Sequence, residues 1–334
     1  MISALIRGGR ASLQDIGTHM EDEIDLESRI KKAKRWLTNK WTDVECHFIP
    51  YLIPILHSLA KRGELVLAID GSEVGKDNMG LMLSLVWRKR AIPICWLVRK
   101  ASKGHFPQQM HVDLICQAAR LLRDLLGAPC QVILLGDGEF DGNELQKACL
   151  DQGWDYVLRT AKDTLLADNP DMENASKFGH LAPERGQKSL FLPHMYLTKE
   201  GFGPVNALYW HDRRYENPLF LLTSLDCAPQ AQAYYRKRCH IETFFGDLKS
   251  RGFHIHKTRI EDPHTLCNLL IVAALGFIIS ILFEFDARKS PHLSRFCPKQ
   301  RSHTLSVFQI GLRALRYYIR HHLNISFQFS NNFP

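Results

Sequence analysis

Between residues 64 and 161 the chain passes through short apolar runs, turns and two longer helical patterns, in an order that few folds accommodate. ELVLAID (64–70) is a short apolar run that ends in an acid and meets the turn-forming Gly71. LMLSLVWRKR (81–90) and IPICWLVRK (92–100) follow as two strands joined by a tight basic turn, so a three-stranded antiparallel meander is expected. Apolar residues then recur at i, i+3 and i+4 through 108–126, the pattern of an amphipathic helix. QVILLGDGEFDG (131–142) reads as a fourth strand, again ending in an acid, Asp137. A helix over 143–152 and a fifth strand, DYVLRTA (155–161), complete the run.

Three antiparallel strands followed by helix, strand, helix and strand is the order of a ribonuclease-H-like α/β core, a mixed sheet flanked by helices. In open α/β sheets ligands sit beyond strand ends. Asp70 ends the first strand and Asp137 the fourth, which can neighbour the first. Paired hard carboxylates at adjacent strand ends suit Mg²⁺ or Mn²⁺. Asp before Gly is also ordinary turn chemistry, so neither acid decides the matter alone. GDGEFDG has glycines at 136, 138 and 142 but misses the GxGxxG spacing by one, and Asp137 and Glu139 would face a bound pyrophosphate. A dinucleotide site is therefore disfavoured.

The flanks divide the chain further. Residues 1–62 read as a helical N-terminal region: apolar residues recur at helical spacing through EDEIDLESRIKKAKRWL, and a second helix over 41–63 is bent by Pro50 and Pro54. Arg29, Lys31, Lys32, Lys34 and Arg35 suit either DNA or a solvated face. The first part of the ribonuclease-H-like core spans 63–162, and a β-rich insertion with frequent turn residues spans 163–225. In it Tyr209 and Trp210 suit base stacking or the insertion's own core, with at least one expected inside. The second part of the core spans 226–285 and a C-terminal helical segment 286–334, whose last dozen residues are expected to be loosely held. LLIVAALGFIISILF (269–283) is the longest uncharged apolar run, short for a membrane span and followed at once by Glu284 and Asp286. A buried core helix, and no membrane association, is expected.

The net charge of +8 favours a polyanionic partner, nucleic acid first. Nine scattered cysteines form no CxxC pair, which excludes a zinc ribbon and fits reduced thiols in a cytosol-like compartment. The apolar run at the N-terminus is too short for a signal peptide.

The chemistry concentrates in YYRKRCHIETFFGDLK (234–249). Tyr235, Arg238, Glu242 and Lys249 stand at offsets 0, 3, 7 and 14, so a continuous helix would bring them within about 60° on one face. An acid inside a cationic and aromatic stripe suits a metal-binding carboxylate flanked by phosphate-holding groups. A solvated face with pairs such as Arg238–Glu242 accounts for this segment equally well by itself. Residues 231–260 hold seven Lys/Arg (Arg236, Lys237, Arg238, Lys249, Arg251, Lys257 and Arg259) against two acids, Glu242 and Asp247. His254 and His256 have no third residue spaced to complete a metal site.

These residues resemble the bacterial insertion-sequence DDE transposases that carry the YREK signature. Tyr235, Arg238, Glu242 and Lys249 keep every spacing of that signature, and Asp70 in LAIDGSEV and Asp137 in LGDGEFDG look like the family's two aspartates. The resemblance covers about residues 64–285. It implies cleavage of insertion-element ends and strand transfer into target DNA by in-line phosphoryl transfer. It further implies two Mg²⁺ ions (Mn²⁺ substituting) on Asp70, Asp137 and Glu242, with Tyr235, Arg238 and Lys249 on phosphates. Arg236, Lys237, Arg251, Lys257 and Arg259 are the further expected DNA contacts, and Trp210 an aromatic platform for an unstacked base. A cytoplasmic, nucleoid-associated location and a homodimer on paired double-stranded DNA ends follow from the same resemblance. Two rivals share these features: a ribonuclease-H-like structure-specific nuclease, and a catalytically silent transposase-derived DNA-binding protein.

Overall fold

A computed structural model describes residues 1–101, 104–127, 129–183, 188–211, 216–289 and 305–325. The expectation for the last dozen residues falls largely outside these. Five helices come first: α1 (Ile2–Gly8), α2 (Leu13–His19), α3 (Leu26–Leu37), α4 (Val44–His47) and α5 (Ile49–Ala60). Asp25 and Asp43 cap α3 and α4, their carboxylates accepting from the Ser28 and Cys46 amides. The single bent helix expected over 41–63 is two helices. The chain breaks at Phe48, and Pro50 sits in the first turn of α5, where a missing N–H costs nothing.

The core sheet begins with β1 (Glu64–Glu73), β2 (Asn78–Trp87) and β3 (Arg90–Lys100), then α6 (Gln108–Leu126), β4 (Gln131–Gly136), α7 (Asn143–Asp151) and β5 (Asp155–Arg159). β1, β2 and β3 pair antiparallel, whereas β4 lies parallel to both β1 and β5. Leu65 to Ile69 are all buried, so β1 is covered on both faces. The topology is the ribonuclease-H-like one expected from the order of the elements.

The β-rich segment adds β6 (Leu165–Ala167), β7 (Ser176–Lys177), β8 (Ser189–Leu197), β9 (Phe202–Trp210) and β10 (Leu219–Thr223). β10 pairs with β5, so these strands continue the core sheet instead of standing apart: the ten strands run β3-β2-β1-β4-β5-β10-β9-β8-β6-β7. Side chains reinforce the seam, with the Thr223 hydroxyl donating to the Tyr156 carbonyl at 2.7 Å.

Among the described residues four α-helices follow: α8 (Ala228–Tyr235), α9 (His240–Leu248), α10 (Pro263–Lys289) and α11 (Val307–Arg320). α10 is long and apolar enough to cross a membrane, longer than the uncharged run suggests, yet 89% of its apolar window is buried within the protein. It packs against α11, β3 and α1 as the central core helix.

Candidate active site

Strand register places the two aspartates. In the parallel β1–β4 pair Ala68 stands opposite Leu135. Asp70 and Asp137 each lie two residues further on, so they emerge side by side and toward the same face. Asp70 accepts from the Gly71 amide at 2.7 Å, and Asp137 from the Glu139 amide at 3.1 Å, which fixes both carboxylates. Gly71 has a second duty: a Cβ there would lie 2.4 Å from the Phe106 ring, so only glycine lets that ring pack beside Asp70.

The third acid arrives on α9. The YREK residues do not share one continuous helix. α8 stops at Tyr235, residues 236–239 form a turn, and α9 resumes at His240. The amides of Lys237, Arg238, His240 and Ile241 bond three residues back, which tightens the path. Glu242, in the first turn of α9, still reaches the site through Arg238, whose Nη2 donates to its carboxylate.

Arg238 is the centre of the constellation. Its guanidinium also lies 3.6 Å from Asp70 Oδ2 and 3.8 Å from Asp137 Oδ2. Nη1 is buried between those two acids without a hydrogen bond. Burial first, and then the charge of Asp137, push the Asp70 carboxyl up to about 7, against the pull of Arg238 and the Gly71 amide. Lys249, just past the end of α9, is half-buried and within electrostatic reach of Asp70 and Glu73. Burial lowers its pKa and those acids oppose the shift.

Among the described residues no three His, Cys, Asp or Glu side chains already converge as a metal cluster. The donor set nevertheless fits hard divalent cations. Three carboxylates surround a site that here holds a single guanidinium charge, and a buried cation position with an unsatisfied N–H is what an oxygen-ligated ion could take over.

Several residues expected at this site lie elsewhere. Trp210 is only 4% exposed, covered by the Arg236 guanidinium 4.7 Å from its ring, so it offers no platform for a base. Tyr209 is buried on the opposite face of β9, in a second apolar cluster. Tyr235 is buried, within electrostatic reach of Arg238 rather than open to a phosphate. Lys237 lies over the Tyr234 ring near Glu64, at the start of β1, about 20 Å of strand from Asp70. Arg251 is a clamp on α9, pairing with Asp247 at 3.1 Å and donating to the Thr243 carbonyl. Lys257 and Arg259 are exposed beside a separate groove.

The sequence reading did not anticipate Glu139 as a positioning group. Its amide holds Asp137, while its carboxylate accepts from the Phe106 amide at 2.6 Å and lies 3.9 Å from the buried His111 ring. The only signal was an acid two residues past Asp137 in the same loop.

Residues 61–276 match the family described as the transposase DDE domain. No curated protein matches the chain. Among solved structures, Ciona intestinalis endonuclease V, in complex with a DNA containing an inosine followed by a ribo-adenosine, is 15% identical with a TM-score of 0.31. That alignment covers 71% of this chain and 99% of the other. The catalytic domain of human endonuclease V is 15% identical with a TM-score of 0.28, covering 74% and 95%.

Proposed function

The chain belongs to the transposase DDE domain family, and from that membership we propose a DNA transposase that cleaves the ends of an insertion element and joins them to target DNA. The observation that carries this reading is the convergence of Asp70, Asp137 and Glu242 on one guanidinium at the ends of two parallel strands.

Asp70, Asp137 and Glu242 would hold divalent ions, two Mg²⁺ by preference with Mn²⁺ as substitute. When bound, such ions activate the attacking oxygen and neutralise charge on the leaving one. The protein supplies the rest. The strand ends fix Asp70 and Asp137 before substrate arrives, so little reorganisation is left for the reaction itself. With those carboxylates engaged by metal, Arg238 would be free to meet a DNA phosphate beside the scissile bond. Lys249 stands on the Asp70 side to hold another. Water attacks the phosphodiester in line and the bond to the 3′ oxygen breaks. The freed 3′-hydroxyl then attacks a second phosphodiester in the same site, and that strand's own 3′ oxygen leaves with the proton as the new P–O bond forms. Pairing two element ends calls for a homodimer on double-stranded DNA.

The test is strand cleavage of labelled DNA carrying the flanking element's ends, with Mg²⁺ or Mn²⁺, comparing the native chain with Glu242→Ala. Cleavage at the ends that falls by about 10³-fold or more in the variant is expected. Tight binding without cleavage in both proteins would replace the enzyme with a silent DNA binder. Cleavage without any joined product would favour a nuclease.

A further inference from the structure

A groove of about 720 Å³ lies between residues 10–14 and residues 254–260. Arg10, Lys257, Arg259 and His254 line it together with the polar Ser12 and Gln14, and no acid is among its lining residues. Arg10, Lys257 and Arg259 are exposed, and among the described residues none of the three is in an ion pair. Other cations nearby are already engaged: Arg251 with Asp247, Lys76 with Glu261, and Arg316 with the Ile6 carbonyl. Unpaired cations gathered in a concavity without a carboxylate are an anion site waiting for its charge.

The groove is built, not incidental. The Ala11 amide donates to the Phe253 carbonyl at 2.7 Å and ties one wall to the other. Gly9 turns the chain into position at φ 76°, where a Cβ would meet the Arg316 guanidinium at 2.2 Å. The Thr258 hydroxyl and the His254 Nδ1, both on the lining, are buried without a partner.

It is also joined to the catalytic acids. The His254 amide donates to the Lys249 carbonyl at 2.9 Å. Lys249 lies within electrostatic reach of Asp70, His256 of Lys249, and His254 of His256, Lys257 and Arg10. Lys249, Lys257 and Arg10 are therefore strung from the acids to the groove, with His256 and His254, whose pKa values burial lowers, between them.

We propose that this groove is a second DNA site, which grips the phosphate backbone of the duplex being cut and in which Arg10, outside the matched family domain, is a DNA contact. The proposal rests on the transposase reading in taking DNA as the ligand. A duplex backbone offers regularly spaced phosphates, and a track of separate cations meets that repeat better than it meets one compact anion.

The test measures binding of a fluorescent duplex of about 30 base pairs to the full chain in chelator, across a salt series. Arg10→Ala, Lys257→Ala and Arg259→Ala are compared with the native chain and with Lys199→Ala, an exposed lysine in the β8–β9 turn. Each groove variant is expected to bind about 3–10-fold more weakly near 0.1 M salt, and to lower the slope of log K against log salt by about 1. Lys199→Ala should leave both unchanged. Native binding with groove variants no weaker than Lys199→Ala would overturn the groove and leave the transposase reading standing. No binding by the native chain would overturn both.

Discussion

At the residue scale, the three acids and Arg238 are arranged at some expense to stability. Asp70 sits mostly buried beside Asp137, and that environment raises its pKa to about 7. A carboxyl with a raised folded pKa binds a proton more readily in the native state than when unfolded. Its contribution to stability is full below about pH 4 and is lost as pH rises toward 7. Asp70→Asn removes the charge and keeps the shape. In chelator at pH 7.5 it is expected to raise Tm by roughly 5 °C, an advantage that fades toward pH 4. A thermal melt at the two pH values checks this, and a variant that melts lower at pH 7.5 would mean that the Asp70–Arg238 attraction outweighs burial. Arg238 carries the complementary prediction. If its guanidinium holds the place of a metal, Arg238→Ala should bind Mn²⁺ several-fold more tightly by calorimetry while losing cleavage. Weaker Mn²⁺ binding would show that Arg238 shapes the carboxylates instead of competing for them.

At the element scale, α9 must present Glu242 accurately although it is a short helix preceded by a turn. Its C-terminal end is anchored by Asp247, fully buried, which is ion-paired with Arg251 at 3.1 Å and accepts from the Ser306 hydroxyl that caps α11 at 3.2 Å, with Arg90 of β3 within electrostatic reach. Arg251 is 40% exposed, so the loss comes chiefly from the Ser306 hydroxyl and Arg90 left without their partner, and Asp247→Ala should cost about 1 kcal/mol in a denaturant titration. Cleavage should fall with it, because Glu242 rides on the same helix. A variant of native stability would remove the clamp from this account. The strand ends were legible in the sequence because apolar runs and turn residues mark them locally: β1, α6 and β4 lie where hydrophobic periodicity puts them. Asp70 and Asp137 were legible for the same reason. The break after Tyr235 was not, since residue spacing along a helix carries no sign of a tightened turn between two helices. Nor could spacing show that Trp210 and Tyr235 face inward, because burial is settled by distant segments that pack over them. Arg238 stands out in the sequence as a candidate phosphate-holding residue, but its place among the acids depends on register between strands far apart in the chain.

At the scale of the whole molecule, the joined sheet decides how the protein behaves as a mechanical unit. Alternate residues of β9 serve different cores: Val205, Ala207 and Tyr209 enter the small cluster around Phe178, while Leu208 and Trp210 enter the main core. Successive side chains of a strand point to opposite faces, so neither core can open while β9 keeps its register. β10 locks the same strands to β5, and the Thr160 amide donates to the Phe220 carbonyl at 2.8 Å along that seam. The segment that reads as an insertion should therefore not melt by itself. Calorimetry of the full chain is expected to give one transition in which calorimetric and van't Hoff enthalpies agree. Hydrogen exchange should protect β9 and β10 to the same degree as β5. An early transition confined to residues 163–211 would mean that the shared strand does not couple the two cores. In a coupled sheet β1 and β4 are paired with strands on both sides, β2 and β5 flanking them, so Asp70 and Asp137 keep their spacing.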